Sequence, residues 1–142
     1  MTCSSKKTFY SLLLIWVILN TPCLSAQGIE PIDIQFDQCV EKSDGNTYAL
    51  VYCADDYHKA WDSLLNKEYI LLYKKLPKKQ SEKLRISQRE WLTLRQKDAD
   101  FLTAYYKSKE GTMWGPVNIY NQAQSTKYRA MWLRKMRESL LD

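Results

Sequence analysis

The chain has 142 residues, of which 45% are hydrophobic and 26% charged, and its formal net charge at pH 7 is +5. A length of this order suits one domain with one modest core. Basic residues are spread among acidic ones along the predicted helices, as on a solvated face, so the charge pattern argues against nucleic acid as a partner.

Residues 1–26 have the features of a secretory signal peptide. Two lysines precede an apolar segment at residues 12–19, which is too short to span a bilayer, and a small-residue cleavage site ends at Ala26. Lipidation at Cys23 is disfavoured because a proline directly precedes it. We therefore expect cleavage after Ala26 and a single mature domain at residues 27–142. This domain would be periplasmic or secreted, without stable membrane insertion.

The predicted mature domain keeps all 16 acidic residues and 19 of the 21 basic ones, which gives a net charge of +3. It also keeps two cysteines, Cys39 and Cys53, and an oxidising compartment favours one disulfide between them. Such a bond contributes roughly 3 kcal/mol in the chain-entropy account. Reactive or metal-bound thiols are the less favoured alternative, because no further cysteine stands nearby to complete a ligand set.

Four segments show the apolar spacing of amphipathic helices, and none shows the sustained alternation of a strand. The second segment stops near Pro77, which cannot continue a helix. The predicted bounds are about Ile32–Lys42, Thr47–Lys75, Ser81–Lys107, and from near Pro116 to about Leu140. The sequence therefore predicts an all-α antiparallel hairpin or small bundle of about four helices, with the disulfide joining the first helix to the second.

The two long predicted helices each carry a stripe of polar and aromatic residues. In an antiparallel pair, facing residues have numbers with a constant sum. A sum of 157 pairs Asp62 with Arg95, Asn66 with Trp91, and Tyr69 with Gln88. A half-buried carboxylate needs a partner, and a guanidinium is a good one. We expect these residues to fix the register of the hairpin; the alternative is a polar groove that receives a ligand.

The same residues belong to a longer pattern that resembles the LprI-type lysozyme inhibitor family. The matching positions are Cys53, Tyr57, Ala60, Asp62, Leu65, Asn66, Tyr69, Leu84, Gln88, Trp91, Arg95, Thr126, Arg129 and Leu133. The resemblance implies an exported helical domain with disulfides and, for some relatives, inhibition of lysozyme. Relatives often carry a second cysteine pair, one member of which falls at Ala99, and this chain lacks that pair.

No set of residues has the spacing of a catalytic site. His58 is the only histidine, and a single helical histidine is most often a plain surface residue. The sequence has no nucleophile-elbow serine and no glycine-rich phosphate loop. Asp98 and Asp100 diverge on their helix, which is the wrong geometry for an acid and base pair. We therefore expect a binding protein without cofactor or metal, and not an enzyme.

The segment between the third and fourth predicted helices is a candidate partner-binding surface. It combines aromatic, apolar and basic side chains, which are typical of interfaces. The candidate residues are Tyr105, Tyr106, Lys107, Lys109, Met113 and Trp114. The alternative is that Trp114 folds back onto the end of the bundle.

Taken with the resemblance, these features predict a protein-binding module, an inhibitor or an immunity-like protector, that occludes the cleft of a lysozyme-type cell-wall hydrolase. The alternative is an envelope-associated protein that binds peptidoglycan or an anionic surface through aromatic and lysine side chains. The sequence leaves a homodimer open, because a second helix approaching thirty residues could leave apolar surface uncovered.

Overall fold

The computed structural model describes residues 30–140 and contains four helices in this part of the chain, with no strand. The helices are α1, Pro31–Lys42; α2, Thr47–Lys75; α3, Lys78–Lys107; and α4, Trp114–Glu138. The predicted all-α class with about four helices is confirmed. The predicted signal peptide lies outside the described residues.

The turn between α1 and α2 is built from residues that tolerate unusual backbone geometry. Asp44 and Gly45 both have positive φ, of 48° and 74°, which reverses the chain within four residues. The Asn46 side chain then accepts a hydrogen bond from the backbone N–H of Ala49 at 3.1 Å. This cap satisfies one of the free N–H groups at the start of α2.

The turn between α2 and α3 is shorter than expected. Leu76 is extended, as a residue before proline prefers to be, and α3 begins at Lys78 directly after Pro77. Ser81, the expected start, lies buried inside the first turn and donates its hydroxyl to the Lys78 carbonyl at 3.0 Å.

The core forms mainly between α2 and α4, which lie side by side and run parallel. Contacts between them join residues a nearly constant distance apart in sequence: 67 for Tyr57–Gln124, 66 for Trp61–Lys127 and 66 for Glu68–Arg134. The most buried apolar residues are Ala54, Trp61 and Leu65 of α2 and Ala123, Ala130 and Leu133 of α4. Small side chains at positions 123 and 130 let the two helices approach closely.

α3 runs antiparallel to both neighbours and contributes less apolar surface to the core. Its buried residues are Ser81, Leu84 and Gln88, of which only Leu84 is apolar. Thus α2 and α3 form the predicted hairpin, but α4 covers most of the buried face of α2.

α1 lies antiparallel along the first half of α2 and also contacts α4. The predicted disulfide between Cys39 and Cys53 is present, with 5.7 Å between the Cα atoms. The Phe36 ring packs against those of Tyr57 and Tyr120, at centroid distances of 4.5 and 5.2 Å, and the two tyrosine rings lie 5.6 Å from each other. α1 is therefore held both by a covalent bond and by aromatic packing.

Within residues 30–140, no helix is long and apolar enough to cross a membrane. Over the same residues, no group of three or more His, Cys, Asp and Glu side chains could hold a metal ion.

Candidate functional site

Arg95 joins the three long helices at the middle of the bundle. Its Nη1 donates to Oδ1 of Asp62 on α2 at 2.6 Å and to the Thr126 hydroxyl on α4 at 3.4 Å. Asn66 donates to the other Asp62 oxygen at 3.1 Å. The contact between Asp62 and Arg95 is the one that a sum of 157 predicts.

The other two predicted pairs, Asn66 with Trp91 and Tyr69 with Gln88, form no hydrogen bond with each other among the described residues. Asn66 bonds to Asp62 on its own helix, and Gln88 accepts from Nε of Arg129 on α4 at 3.0 Å. The Tyr69 ring packs against Tyr73, with centroids 5.9 Å apart, and burial raises the pKa of Tyr69.

Arginine and tryptophan side chains alternate along the contact between α3 and α4. The Arg95 guanidinium lies 5.1 Å from the centre of the Trp91 ring, and the Arg129 guanidinium lies 5.7 Å from Trp91 and 4.7 Å from Trp132. Burial lowers the pKa of Arg129. Each guanidinium therefore has an aromatic face as well as hydrogen-bond acceptors, which compensates part of its desolvation.

A polar cleft opens beside the Asp62–Arg95 pair. It has a volume of about 560 Å³, and its lining residues are His58, Lys59, Asp62, Ser63, Asn66 and Arg95. Burial, and then the positive charge of Arg95, lower the pKa of His58. Three of the residues predicted to fix the register, Asp62, Asn66 and Arg95, thus line a groove that offers donors and acceptors to solvent.

A smaller cavity of about 120 Å³ shares His58 and Arg95 with the cleft and reaches between α3 and α4. Ala99 lines this cavity together with Leu102 and Gln122.

A buried ionic cluster at the far end of the bundle was missed by the sequence analysis. Glu68 accepts hydrogen bonds from Arg137 at 2.6 Å and Arg134 at 3.4 Å, and Arg134 also donates to Glu30 at 2.7 Å. Glu68 shares one stripe of α2 with Trp61, Leu65 and Leu72, at helical spacings of three and four. That spacing is the signal that could have identified it as buried.

A second network missed by the sequence analysis ties α1 to α4. The Lys127 ammonium donates to both oxygens of Asp33, at 2.7 and 2.8 Å, and the Tyr57 hydroxyl donates to Asp33 at 2.7 Å. Gln124 donates in turn to the Tyr57 oxygen at 3.2 Å. Burial, followed by the hydrogen bond to Asp33, raises the pKa of Tyr57.

All six candidate partner-binding residues lie at the end of the bundle where α3 passes into α4. Trp114 is half-buried: its ring stacks on Tyr106 at 5.7 Å, and its indole N–H donates to the Glu110 carbonyl at 2.7 Å. The members that face solvent are Tyr105, Lys107, Lys109 and Met113. We call these four residues the exposed tip.

The exposed tip adjoins an apolar groove. The groove has a volume of about 330 Å³, and its lining residues are Phe36, Val40, Leu50, Ala54, Met113, Pro116, Val117 and Tyr120. Met113, with 59% of its surface exposed, belongs to both features. This end of the molecule therefore combines two lysines, a tyrosine and an accessible apolar surface.

Comparison with known proteins gives a family and a structural relative. A family model described as "Lysozyme inhibitor LprI" matches residues 39–133. The structure is similar to the crystal structure of an uncharacterised protein from Burkholderia thailandensis, with 27% identity, 79% of this chain covered and a TM-score of 0.72. The chain spans 56% of the length of that protein. No curated protein matches this chain.

Proposed function

The chain belongs to the lysozyme inhibitor LprI family, and on this basis we propose that it is an exported protein that binds and inhibits a lysozyme-type cell-wall hydrolase. The observation that carries the proposal is the family match over residues 39–133, which includes the whole arginine–tryptophan contact and the exposed tip. In this proposal the chain acts by occupying the hydrolase cleft and catalyses no reaction itself.

The exposed tip is the surface best suited to enter such a cleft. Glycosidases that cleave cell-wall sugars generally hold two carboxyl groups at the scissile bond, so their clefts favour cations. Lys107 and Lys109 stand at the tip, and the Lys109 ammonium lies 4.6 Å from the centre of the exposed Tyr105 ring. Charge and aromatic surface are thus presented together.

Local charge is more important here than the net charge of the chain. A predicted mature charge of +3 gives no long-range attraction to a basic muramidase. Screening in physiological salt limits such attraction to about 8 Å, whereas lysines inside a cleft lie within that distance of its carboxylates. A basic tip can therefore bind an acidic cleft even when both whole proteins are positive.

The tip is also held in place by the bundle behind it. The Trp114 ring stacks on Tyr106, and the Tyr106 hydroxyl accepts a hydrogen bond from Asn121 of α4 at 2.9 Å. A segment that is already ordered loses less conformational entropy on binding, and this supports a rigid inhibitor that fits one cleft.

The test is a cell-wall lysis assay with lysozymes of several types and increasing amounts of the oxidised, exported chain. We expect saturable inhibition of at least one lysozyme, and a loss of about tenfold in affinity for Lys109→Glu. Lys74→Glu is the matched control. It makes the same charge change at an exposed position near the C-terminal end of α2, whereas the tip lies near the N-terminal end of that helix, so this variant should inhibit normally. Absence of inhibition with every lysozyme would refute the proposed function. Equal inhibition by wild type and Lys109→Glu would instead refute the tip as the binding surface.

The polar cleft supports a second candidate function, binding of peptidoglycan in the envelope. Its amide, carboxylate, imidazole and guanidinium groups could form hydrogen bonds with sugar hydroxyl groups. A wall-binding protein would sediment with purified peptidoglycan, whereas an inhibitor of the hydrolase alone would stay in the supernatant. Asn66→Ala separates the two functions, since it alters the cleft and leaves the tip unchanged.

A further inference from the structure

One face of α3 points away from the rest of the bundle and carries exposed apolar residues. Ile86, Leu94 and Phe101 are 47%, 55% and 65% exposed, whereas the buried residues of α3 lie on its opposite side. Residues 86 to 101 cover roughly 22 Å of helix at 1.5 Å per residue. This face is long enough to contact a second helix over about four turns.

Two copies of this face are complementary when the helices lie antiparallel, because apolar positions then face apolar ones and an acid faces a base. Residues 86, 90, 93 or 94, 97 and 101 follow each other at spacings of three and four, so they form one stripe. In an antiparallel pair of α3 helices with a two-fold axis between residues 93 and 94, facing residues have numbers that add up to 187. Ile86 then faces Phe101, Glu90 faces Lys97, and Thr93 faces Leu94 of the second copy.

The charges on the stripe follow the same symmetry. Glu90 and Lys97 lie near its centre line at mirrored positions, so each helix offers one acid and one base for the matching groups on the other. A partner of unrelated sequence would not require opposite charges at mirrored positions, whereas a two-fold pair of identical helices does. The pattern therefore selects a second copy of this chain over another protein.

We propose that two copies of the chain associate through these faces of α3, antiparallel and related by a two-fold axis. Glu90 is 69% exposed and has only a long, exposed contact to Arg89 at 3.9 Å, so its carboxylate is accessible to Lys97 of the second copy. Each pair occurs twice by symmetry. A polar pair between apolar layers fixes the register of helix pairs, as it does in coiled coils.

A single helix pair buries less surface than a standard stable interface, so the dimer should be weak and should depend on concentration. Sedimentation velocity of the oxidised, exported chain from about one to several hundred micromolar should show a shift from monomer to dimer. Glu90→Lys and Lys97→Glu should each move this shift to at least about tenfold higher concentration. The double variant exchanges the two charges and should restore the wild-type midpoint.

Lys135→Glu, at an exposed position of α4, is the control for net charge and should behave as wild type. Thermal unfolding of each variant verifies that the fold is intact, as expected for exposed positions. A wild-type chain that stays monomeric throughout the range would refute the proposal, as would a double variant that fails to recover. Neither result depends on lysozyme inhibition, which the lysis assay measures separately.

Discussion

Glu68 has only 3% of its surface exposed and is the one charged residue buried this deeply among residues 30–140. Its carboxylate compensates the guanidinium groups of Arg134 and Arg137, whose side chains are themselves 23% and 18% exposed. Removing one partner of a buried ion pair leaves the other without compensation, at a typical cost of about 3 kcal/mol or more.

We therefore predict that Glu68→Gln lowers the free energy of unfolding by about 3 kcal/mol, as measured by urea denaturation. Glu82→Gln is the matched control, because Glu82 pairs with Arg85 on the surface, where both side chains are more than 40% exposed. Exposed pairs contribute little, so this variant should unfold at the wild-type urea concentration. Equal effects of the two substitutions would contradict the buried cluster.

His58 makes stability depend on pH in a predictable direction. Burial and the nearby Arg95 lower its pKa in the folded state below the usual value of 6.5, so folding favours the neutral imidazole. The unfolded state then binds more protons once the pH falls below about 6.5, and the stability that depends on neutral His58 is lost as the pH falls further.

The corresponding measurement is the free energy of unfolding of wild type and His58→Gln between pH 7 and pH 5. We expect wild type to lose more stability over this interval than the variant does. Carboxylates titrate in both proteins, so the difference between the two slopes isolates His58. Parallel slopes would show that His58 has the same pKa in the folded and unfolded states.

α1 depends on the disulfide more than the other helices do. It has no buried residue of its own. The interactions that hold it against the bundle are the Cys39–Cys53 bond, the Phe36 contacts and the ion pairs of Glu30 and Asp33. We predict that Cys39→Ser with Cys53→Ser lowers the free energy of unfolding by about 3 kcal/mol. Hydrogen exchange should accelerate most in α1, while α2 and α4 stay protected. Uniform acceleration in all four helices would argue against a local role of the disulfide.

Helices were the most predictable elements. The predicted bounds of α2 match the observed Thr47–Lys75, because Asn46 and Pro77 mark its two ends in the sequence. α3 and α4 begin three and two residues earlier than expected, at Lys78 and Trp114. In both cases a helix starts without a side-chain cap, so the sequence has no local signal for the first turn.

Only the part of the candidate site that lies between the consecutive helices α2 and α3 could be predicted from the sequence. The constant sum correctly placed Asp62 beside Arg95, because both residues belong to consecutive antiparallel helices. The constant sum could not predict that Gln88 would accept its hydrogen bond from Arg129, because Arg129 belongs to a third helix, α4. Lys127 and Asp33 are 94 residues apart, and no local pattern relates positions so distant.

For the whole molecule, α4 is the element on which the core depends. Ala130 and Leu133 are fully buried, and Arg134 and Arg137 compensate Glu68. We predict that a chain ending after Thr126 has no cooperative thermal unfolding transition and is rapidly digested by protease. The variant without the disulfide serves as the control, since it should keep a cooperative transition. A truncated chain with a sharp transition would show that α1, α2 and α3 suffice.

The parallel arrangement of α2 and α4 has a consequence for the order of events during synthesis. Contacts between these helices join residues far apart in sequence, 63 positions for Tyr57 and Tyr120 and 69 for Glu68 and Arg137, so the core is non-local although the fold is all helical. A nascent chain exposes Trp61 and Leu65 until α4 has been synthesised. Formation of this core is therefore delayed until α4 exists, and the apolar face of α2 stays available to chaperones throughout that time.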